Sequence, residues 1–562
     1  MAPITTLLLS IFAASVSASI QNPSMSPAPP MGFNNWARFM CNLNETLFVK
    51  TADAMVSKGL LAAGYNHINL DDCWMLHNRS SKGELQWDPT LFPHGLPWLA
   101  DYVHAKGFKL GIYENAGNMT CGGYPGSQDH EEQDAATFES WGIDYLKLDG
   151  CNMDLQNGRS YYEEFKYRYS KWHSILSTLK RPMTFSESAP AYFSPNFHLD
   201  ANNTDWYRTM AWVRQTGELA RHSDDIKVYS TLPNGTFESG GHWDSMMNNY
   251  GMQVRLARYQ KCGFYNDPDF LIPDWLDLSL DEKRTHFALW AGFSAPLIIS
   301  AYIPDLTDSE IEYLTNKDII AVDQDALCEQ ATLVSQDGHF DVLTKNLANG
   351  DRLVMVLNRG NQTNNTVIPL ERLGLDSGER YKAKDLWSGS STTIRRGVVE
   401  ISHLKSHATA ILRISGAGRK GEKLAVTPTG MIFNTFSLNC LAASPASHHR
   451  SPISFVTFAA CNAADAQIWR TLSNGRILSL NDDGLCLAAK EEKVIVTACS
   501  HDVTEAKRQQ WSYGINGNLV NKEKELCLQE AEKGAAVLTK CGIELDSQVF
   551  GLPGGVTVRE EL

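Results

Sequence analysis

The sequence predicts an α/β protein: a (β/α)8 TIM barrel over residues 27–325, an antiparallel β-sandwich over 330–415, and a module of threefold repetition over 425–556. Three observations predict this. Short apolar runs alternate with longer amphipathic ones up to about residue 325. The helical period then disappears, and finally a Cys-Leu…Cys…Gln-x-Trp pattern recurs three times. At 562 residues the chain is too long for a single core, in keeping with three or so domains.

In the first region, residues 31–36, 65–72, 109–115, 145–150, 184–188 and 295–300 are short and apolar enough to be buried strands. Stretches 45–61, 96–105 and 161–179 between them carry helical periodicity. Gly64, Gly107 and Gly142 stand where a helix hands over to the next strand, the usual place for a glycine stop. Repeated βα units imply a parallel sheet, and roughly eight of them in about 300 residues imply a closed barrel rather than an open sheet.

Beyond Asp325, segments 339–347, 351–359, 366–370, 381–387 and 407–414 read as strands separated by Asn-Gly, Gly-Asn and Ser-Gly turns, the pattern of an antiparallel sandwich. Residues 415–421, Ser-Gly-Ala-Gly-Arg-Lys-Gly, read as a linker. In the last region Cys440, Cys486 and Cys527 each precede leucine. Cys461, Cys499 and Cys541 follow them, and then Gln467-Ile-Trp469, Gln509-Gln-Trp511 and Gln548-Val-Phe550. One bridge within each copy is the natural pairing. The repeat resembles the ricin-type β-trefoil.

A formal net charge of −14 speaks against nucleic acid or an anionic membrane as partner, since either would call for a basic face. The N-terminus reads as a signal peptide over residues 1–18. Residues 7–14 form an apolar core too short to span a bilayer, and Val16-Ser17-Ala18 offers a cleavage site. Sequons at Asn44, Asn78, Asn118, Asn202, Asn234, Asn361 and Asn364 agree with export. So does the even count of twelve cysteines. The expectation is a secreted, extracellular glycoprotein.

Barrel chemistry sits at the C-terminal ends of the strands. The first strand ends Asn35-Trp36, the second Asp71-Asp72-Cys73-Trp74, and the third carries Tyr113. The fourth carries Lys147 and Asp149, and the fifth ends Ser186-Glu187-Ser188. Lys147 and Asp149 are two apart and so share the interior side of their strand. A lysine beside a carboxylate favours the ionised form that a nucleophile requires. Any one of these groups alone is more readily a strand cap or a local pair than a catalyst. Five strand ends bringing carboxylates and aromatic rings to one mouth suit a sugar: acids for the hydroxyls and the chemistry, a ring face for the C–H side of a pyranose.

Met31-Gly-Phe-Asn-Asn-Trp36-Ala-Arg-Phe-Met-Cys41, Asn69-Leu-Asp71-Asp72-Cys-Trp74, Lys109-Leu-Gly-Ile-Tyr113, Tyr145-Leu-Lys147-Leu-Asp149-Gly-Cys151 and Asn266-Asp-Pro-Asp269 occur in order. The series resembles glycoside hydrolase family 27, the α-galactosidases and α-N-acetylgalactosaminidases, over residues 30–415. The resemblance implies that Asp149 is the nucleophile. Arg221-His-Ser-Asp-Asp225 resembles the family's Arg-x-x-x-Asp, which implies Asp225 as general acid and then base, with neighbouring Asp224 the competing candidate. It further implies that Arg221 and Asp269 hold the 2-hydroxyl side, that Asp71, Asp72 and Lys147 grip the other hydroxyls, and that Trp36 and Tyr113 wall the pocket. Two displacements would retain configuration, with the carboxyl groups about 5–5.5 Å apart. Cys41–Cys73 and Cys121–Cys151 match family disulfides, while Cys262 and Cys328 are left open between a third bridge and two free thiols. No metal or organic cofactor is expected.

The loop after the fifth strand separates the family's two activities. Galactosidases place glutamate and leucine against the sugar 2-position, and acetylgalactosaminidases place serine and alanine. Aligned on Glu187 this loop is galactosidase-like; aligned on Pro190-Ala191-Tyr192 it puts Ser188 and Ala191 at the discriminating positions. Asn115 and Tyr265 depart from the family pattern and could tune recognition toward β-L-arabinopyranosides. In the trefoil, the aspartate that usually follows Cys-Leu in a sugar site is replaced by Ala442, Ala488 and Gln529, so polysaccharide contact and a purely structural module are both open. The leading expectation is an exo-acting α-galactosidase acting on oligosaccharides or galactomannan-type polysaccharides. The rivals are an α-N-acetylgalactosaminidase and a lectin with a degenerate barrel. A serine hydrolase is disfavoured, because Gly292-Phe-Ser294-Ala-Pro296 lacks the final glycine of a nucleophile elbow.

Overall fold

Eight parallel strands run in chain order around the first domain of the computed structural model: β1 Met31–Asn34, β2 His67–Asn69, β3 Lys109–Asn115, β4 Tyr145–Asp149, β5 Thr184–Glu187, β6 Leu219–Arg221, β7 Tyr265–Asp267 and β8 Leu297–Ile299. β8 pairs with β1, and Leu271, just past β7, bridges Ile299 in parallel and closes the barrel. The structure describes residues 24–560 except 196–203, 229–239, 419–422, 444–453, 501, 503–505 and 544. The expected signal peptide and the sequons at Asn202 and Asn234 lie outside the described residues.

A helix follows each of the first seven strands: α1 Glu45–Ser57, α2 Leu96–Ala105, α3 Glu131–Trp141, α4 Tyr161–Leu176, α5 Thr204–Thr216, α6 His242–Gln253 and α7 Leu280–Gly292. Their starts follow local chemistry. Ser160 with Glu163, and Ser279 with Glu282, form reciprocal caps that satisfy free backbone N–H groups at the starts of α4 and α7. Asn44 caps α1 through the Leu47 N–H. Gly142 ends α3 at a φ of 79°, a left-handed turn that costs a glycine nothing.

In the sandwich, a six-stranded antiparallel sheet runs in the order Thr332–Gln336, Phe340–Asn346, Arg352–Asn358, Thr409–Gly416, Tyr381–Asp385 and Ser391–Thr393. The pair Asn364–Pro369 and Val398–Leu404 faces it across a core that includes Val342, Val354, Val356, Ile368 and Val399.

In the trefoil the repeat is visible as repeated bonding. The side chains of Gln467, Gln509 and Gln548 each accept from the backbone N–H just after the second cysteine of their copy and donate to the carbonyl just before it. Trp469 and Trp511 donate to the carbonyls of Leu441 and Leu487, one copy apart. The five expected disulfides are present, and Cys262 and Cys328 form a sixth.

The three modules share apolar core. Met431, Phe433, Ile468, Ile515 and Val549 of the trefoil belong to the same buried cluster as the barrel's helices, beside a separate core of the trefoil's own. Among the described residues, no helix is long and apolar enough to cross a membrane.

Candidate active site

The polar groups collect at the C-terminal ends of the barrel strands. Asp71, at the end of β2, is buried. Its Oδ2 accepts from Lys147 Nζ at 2.6 Å and from Asn34 Nδ2 at 2.8 Å, and its backbone N–H donates to Asn35 Oδ1. Lys147 is thus paired directly with Asp71, while its charge also acts on Asp149. Its ammonium also lies 5.2 Å from the Tyr113 ring and 5.6 Å from the Phe270 ring, so both aromatics form its floor. Asp72 accepts from the backbone of Gly122 and Cys73, but burial still pushes its carboxyl up to about 6.

Asp149 ends β4. Its Oδ1 accepts from the Tyr192 hydroxyl at 2.5 Å and from its neighbour Gly150 N at 2.9 Å. Burial raises the Asp149 pKa, opposed by the Lys147 charge and the Tyr192 hydrogen bond. Tyr192 also touches the Cys121–Cys151 bridge, 3.1 Å from Cys151 Sγ.

Across the mouth, Arg221 at the end of β6 directs one nitrogen to two acids. Its Nη2 donates to Asp225 Oδ1 at 2.9 Å and lies 3.1 Å from Asp269 Oδ2. Trp36 Nε1 donates to Asp225 Oδ2 at 3.3 Å. The side chain of Asp225 is 56% exposed, with Arg221 on one carboxylate oxygen and Trp36 on the other. Burial raises its pKa, but Arg221 and Lys147 outweigh that and hold it below the usual value. Asp269 is fully enclosed and is pushed up to about 7 by burial, against the pull of Arg221. Its backbone sits at a φ of 80°, held there by Asp267 Oδ1 on its N–H and by Trp290 on its carbonyl.

Of the expected site residues, Trp36, Asp71, Asp72, Tyr113, Lys147, Asp149, Arg221, Asp225 and Asp269 gather at one mouth. Glu187 does not. In the parallel register it pairs with Leu148, whereas Ser186 pairs with Lys147, so Glu187 lies on the helix side of β5. There it packs against Gly217, and burial pushes its carboxyl well up. The expectation that Glu187 lines the pocket is therefore corrected. The loop then turns through a short helix, Ala189–Phe193, that delivers Tyr192 to Asp149. Ser188, with a buried hydroxyl lacking a protein partner among the described residues, and Ala191 are the small residues left beside it.

Sequence reasoning missed Asn34, Tyr192 and Phe270 as members of the site. The Pro190-Ala191-Tyr192 motif was the available signal for Tyr192. A cavity of about 840 Å³ opens in the sandwich instead, lined by Arg284, Trp387 and His403 and remote from these acids. Placing the site at the barrel mouth follows from the converging charges, and residues 196–203 and 229–239 lie outside the described residues.

Family models for alpha galactosidase A, for its C-terminal beta sandwich domain and for the ricin-type beta-trefoil lectin domain match residues 28–325, 337–414 and 428–550. The chain is 54% identical to alpha-galactosidase A of Aspergillus niger over 545 residues, covering 96% of this chain and 94% of that one. Alpha-galactosidase I from Mortierella vinacea superposes with a TM-score of 0.62 at 29% identity, covering 70% of this chain and 98% of that one. The alpha-galactosidase from Saccharomyces cerevisiae, solved with raffinose, gives 0.60 at 26% identity, covering 71% and 100%. With all three modules matched in order, the chain belongs to glycoside hydrolase family 27, the family of alpha-galactosidase A.

Proposed function

We propose that the protein is a secreted, retaining exo-α-galactosidase that removes terminal α-D-galactosyl groups from oligosaccharides and galactomannan-type polysaccharides. The observation that carries the reading is the placement of Asp149 and Asp225 on one barrel mouth, between Lys147 and Arg221, in a chain this similar to curated α-galactosidases. Asp149 Oδ2, the oxygen that neither Tyr192 nor Gly150 uses, attacks the anomeric carbon. Asp225 gives its proton to the departing glycosidic oxygen. In the second step water attacks the glycosyl ester, Asp225 takes its proton, and Asp149 leaves as carboxylate. Two inversions retain the α configuration, with the carboxyl groups about 5–5.5 Å apart.

Arg221 favours the ionised form of Asp225, whereas the first step needs its proton. A seated sugar would engage Arg221 through its 2-hydroxyl side and cover Asp225 from water, and both changes raise its pKa. Forming the ester then removes the Asp149 charge, which makes Asp225 easier to deprotonate and readies it as the base. Asp71, Asp72 and Lys147 would take the remaining hydroxyls, with Asp269 beside Arg221 and Trp36 and Tyr113 as walls.

A second reading has its own observation. With Glu187 turned away, the small Ser188 and Ala191 flank the turn that carries Tyr192 to Asp149, which supports α-N-acetylgalactosaminide hydrolysis as the second reading. Export and glycosylation belong to the proposal too, supported by the leader and by exposed Asn44, Asn78, Asn118 and Asn361. Contact of the trefoil with polysaccharide has weaker support, since Ala442, Ala488 and Gln529 offer no carboxylate. One assay tests the core: the protein and Asp149→Asn on aryl α-galactoside, α-N-acetylgalactosaminide and β-L-arabinopyranoside. Inactivity of the unmodified protein on all three ends the glycosidase reading, and full activity of the variant ends the nucleophile assignment.

A further inference from the structure

We propose that the trefoil braces the half of the barrel mouth that carries Arg221 and Asp225, acting through Tyr207 and Trp206 as positioning residues. The inference rests on the glycosidase reading for its kinetic consequence, though not for its structural one.

The trefoil's residues at the usual sugar-binding positions are engaged within the module. Ala442 sits in a strand opposite Thr457, and Ala488 is fully buried. Gln529 Oε1 already accepts from the Thr539 hydroxyl at 2.6 Å and from Gln548 at 3.1 Å. Among the described residues, the polar bonds to the barrel from the trefoil, and from Glu560 just beyond it, gather instead on one sector. Thr435 is buried, donates its hydroxyl to the Val549 carbonyl, and so accepts from the Tyr207 hydroxyl at 2.7 Å. Arg258 donates to the trefoil carbonyl of Ile515 at 3.0 Å and to the Tyr259 hydroxyl at 2.9 Å. Arg214 pairs with Glu560 and donates to the Tyr259 carbonyl.

This sector lies directly behind the acids. Tyr207 and Arg214 belong to α5, the helix that leads into β6 and Arg221. The short helix Ala257–Tyr259 leads into β7 and Asp269. Trp206, packed on Tyr207 at 5.1 Å between ring centres, donates to the His222 carbonyl at 2.9 Å, inside the Arg221–Asp225 loop. An unbroken chain of buried contacts thus runs from Thr435 through Tyr207 and Trp206 to the residue beside Arg221.

The experiment uses the full-length protein with Thr435→Val, which deletes the acceptor from the trefoil side alone, and Tyr207→Phe. Ser437→Ala, which removes a hydroxyl bonded to Glu530 within the trefoil, is the control. Amide exchange is followed by mass spectrometry for residues 219–226 and, for comparison, 109–115. Turnover of a soluble aryl α-galactoside is followed against pH, because a lectin role has no polymer to act on there. Both seam variants are expected to exchange about tenfold faster at 219–226 and normally at 109–115. Their kcat should fall about three- to tenfold with KM within about twofold of the original. The alkaline limb should move up, since a loosened Arg221 contact raises the Asp225 pKa and keeps its proton to higher pH. Unchanged exchange at 219–226 overturns the proposal, as does a lowered melting temperature with unchanged kcat and pH profile. Should the unmodified protein not turn over the aryl galactoside, the galactosidase reading fails, and the exchange data still decide the brace.

Discussion

The hydroxyl of Tyr192 lies 2.5 Å from Oδ1 of Asp149, a contact between residues 43 apart in sequence, one ending β4 and the other in the short helix after β5. A phenol donating to a carboxylate stabilises the ionised form. Tyr192→Phe should therefore raise the Asp149 pKa, and at a given acid pH a smaller fraction of it would be ionised. The acid limb of the kcat/KM profile is expected to move to higher pH, with about tenfold less activity at the optimum. A profile superposing on that of the unmodified protein would show that the contact does nothing for the acid.

Asp149→Asn keeps shape and removes both charge and nucleophilicity. On aryl α-galactoside the loss should be on the order of 10³-fold or more, as for other enzymes stripped of a nucleophile. Asp224→Asn should be nearly silent by comparison, since Trp36 and the Arg221 side chain both reach the Asp225 carboxylate. Comparable losses at Asp224 and Asp225 would undo the assignment of the acid.

Ser188 and Ala191 are expected to set the tolerance for a 2-acetamido group. Combining Ser188→Glu with Ala191→Leu should lower the ratio of α-N-acetylgalactosaminide to α-galactoside kcat/KM by about ten- to a hundredfold, the range that steric selection in a pocket reaches. The competing outcome is a ratio that does not move.

Lys147 and Asp71 form a buried pair. Lys147→Met would leave the Asp71 carboxylate without its cation, at an expected cost of about 3–5 kcal/mol in urea unfolding followed by tryptophan fluorescence. A loss under about 1 kcal/mol would mean that Asn34 and the backbone suffice for Asp71.

Asp72 gives a stability test with a definite sign. Its carboxyl rises from 3.8 to about 6 on folding, so between those values the folded protein binds more protons than the unfolded chain. Stability then falls as pH rises through that window, by on the order of 3 kcal/mol. Asp72→Asn should remove this contribution and flatten the curve between about pH 4 and 6. A slope identical to that of the original protein would mean that the burial of Asp72 is compensated in solution.

The barrel was legible where its strands lie in an apolar run. β3 falls at 109–115 both in the sequence and in the structure, and α2 at 96–105. β6 and β7 were not legible: at three residues each they end on polar groups, Arg221 and Asn266-Asp267, whereas the equally short β8 is Leu297-Ile-Ile299 and reads as apolar. α7 was hidden for the opposite reason, because residues 285–292 are buried without interruption and leave no polar stripe. In the site, ordered motifs led to Asp149, Asp71 and Asp269. The position of Glu187 depended on a one-residue register that only strand pairing resolves, since successive residues face opposite ways. The Cys262–Cys328 bridge, 66 residues long and with no local repeat around it, gave nothing for pattern reading to find.

The cystine joining Cys121 and Cys151 abuts the same tyrosine that touches Asp149. How the polypeptide is manufactured therefore bears on what its active site can do. A cell compartment kept reducing by glutathione would yield chains in which the support behind Tyr192 is slack while the distant barrel walls still assemble. Batches made there should show low specific activity at near-normal helix content, and an oxidising step after purification should recover it.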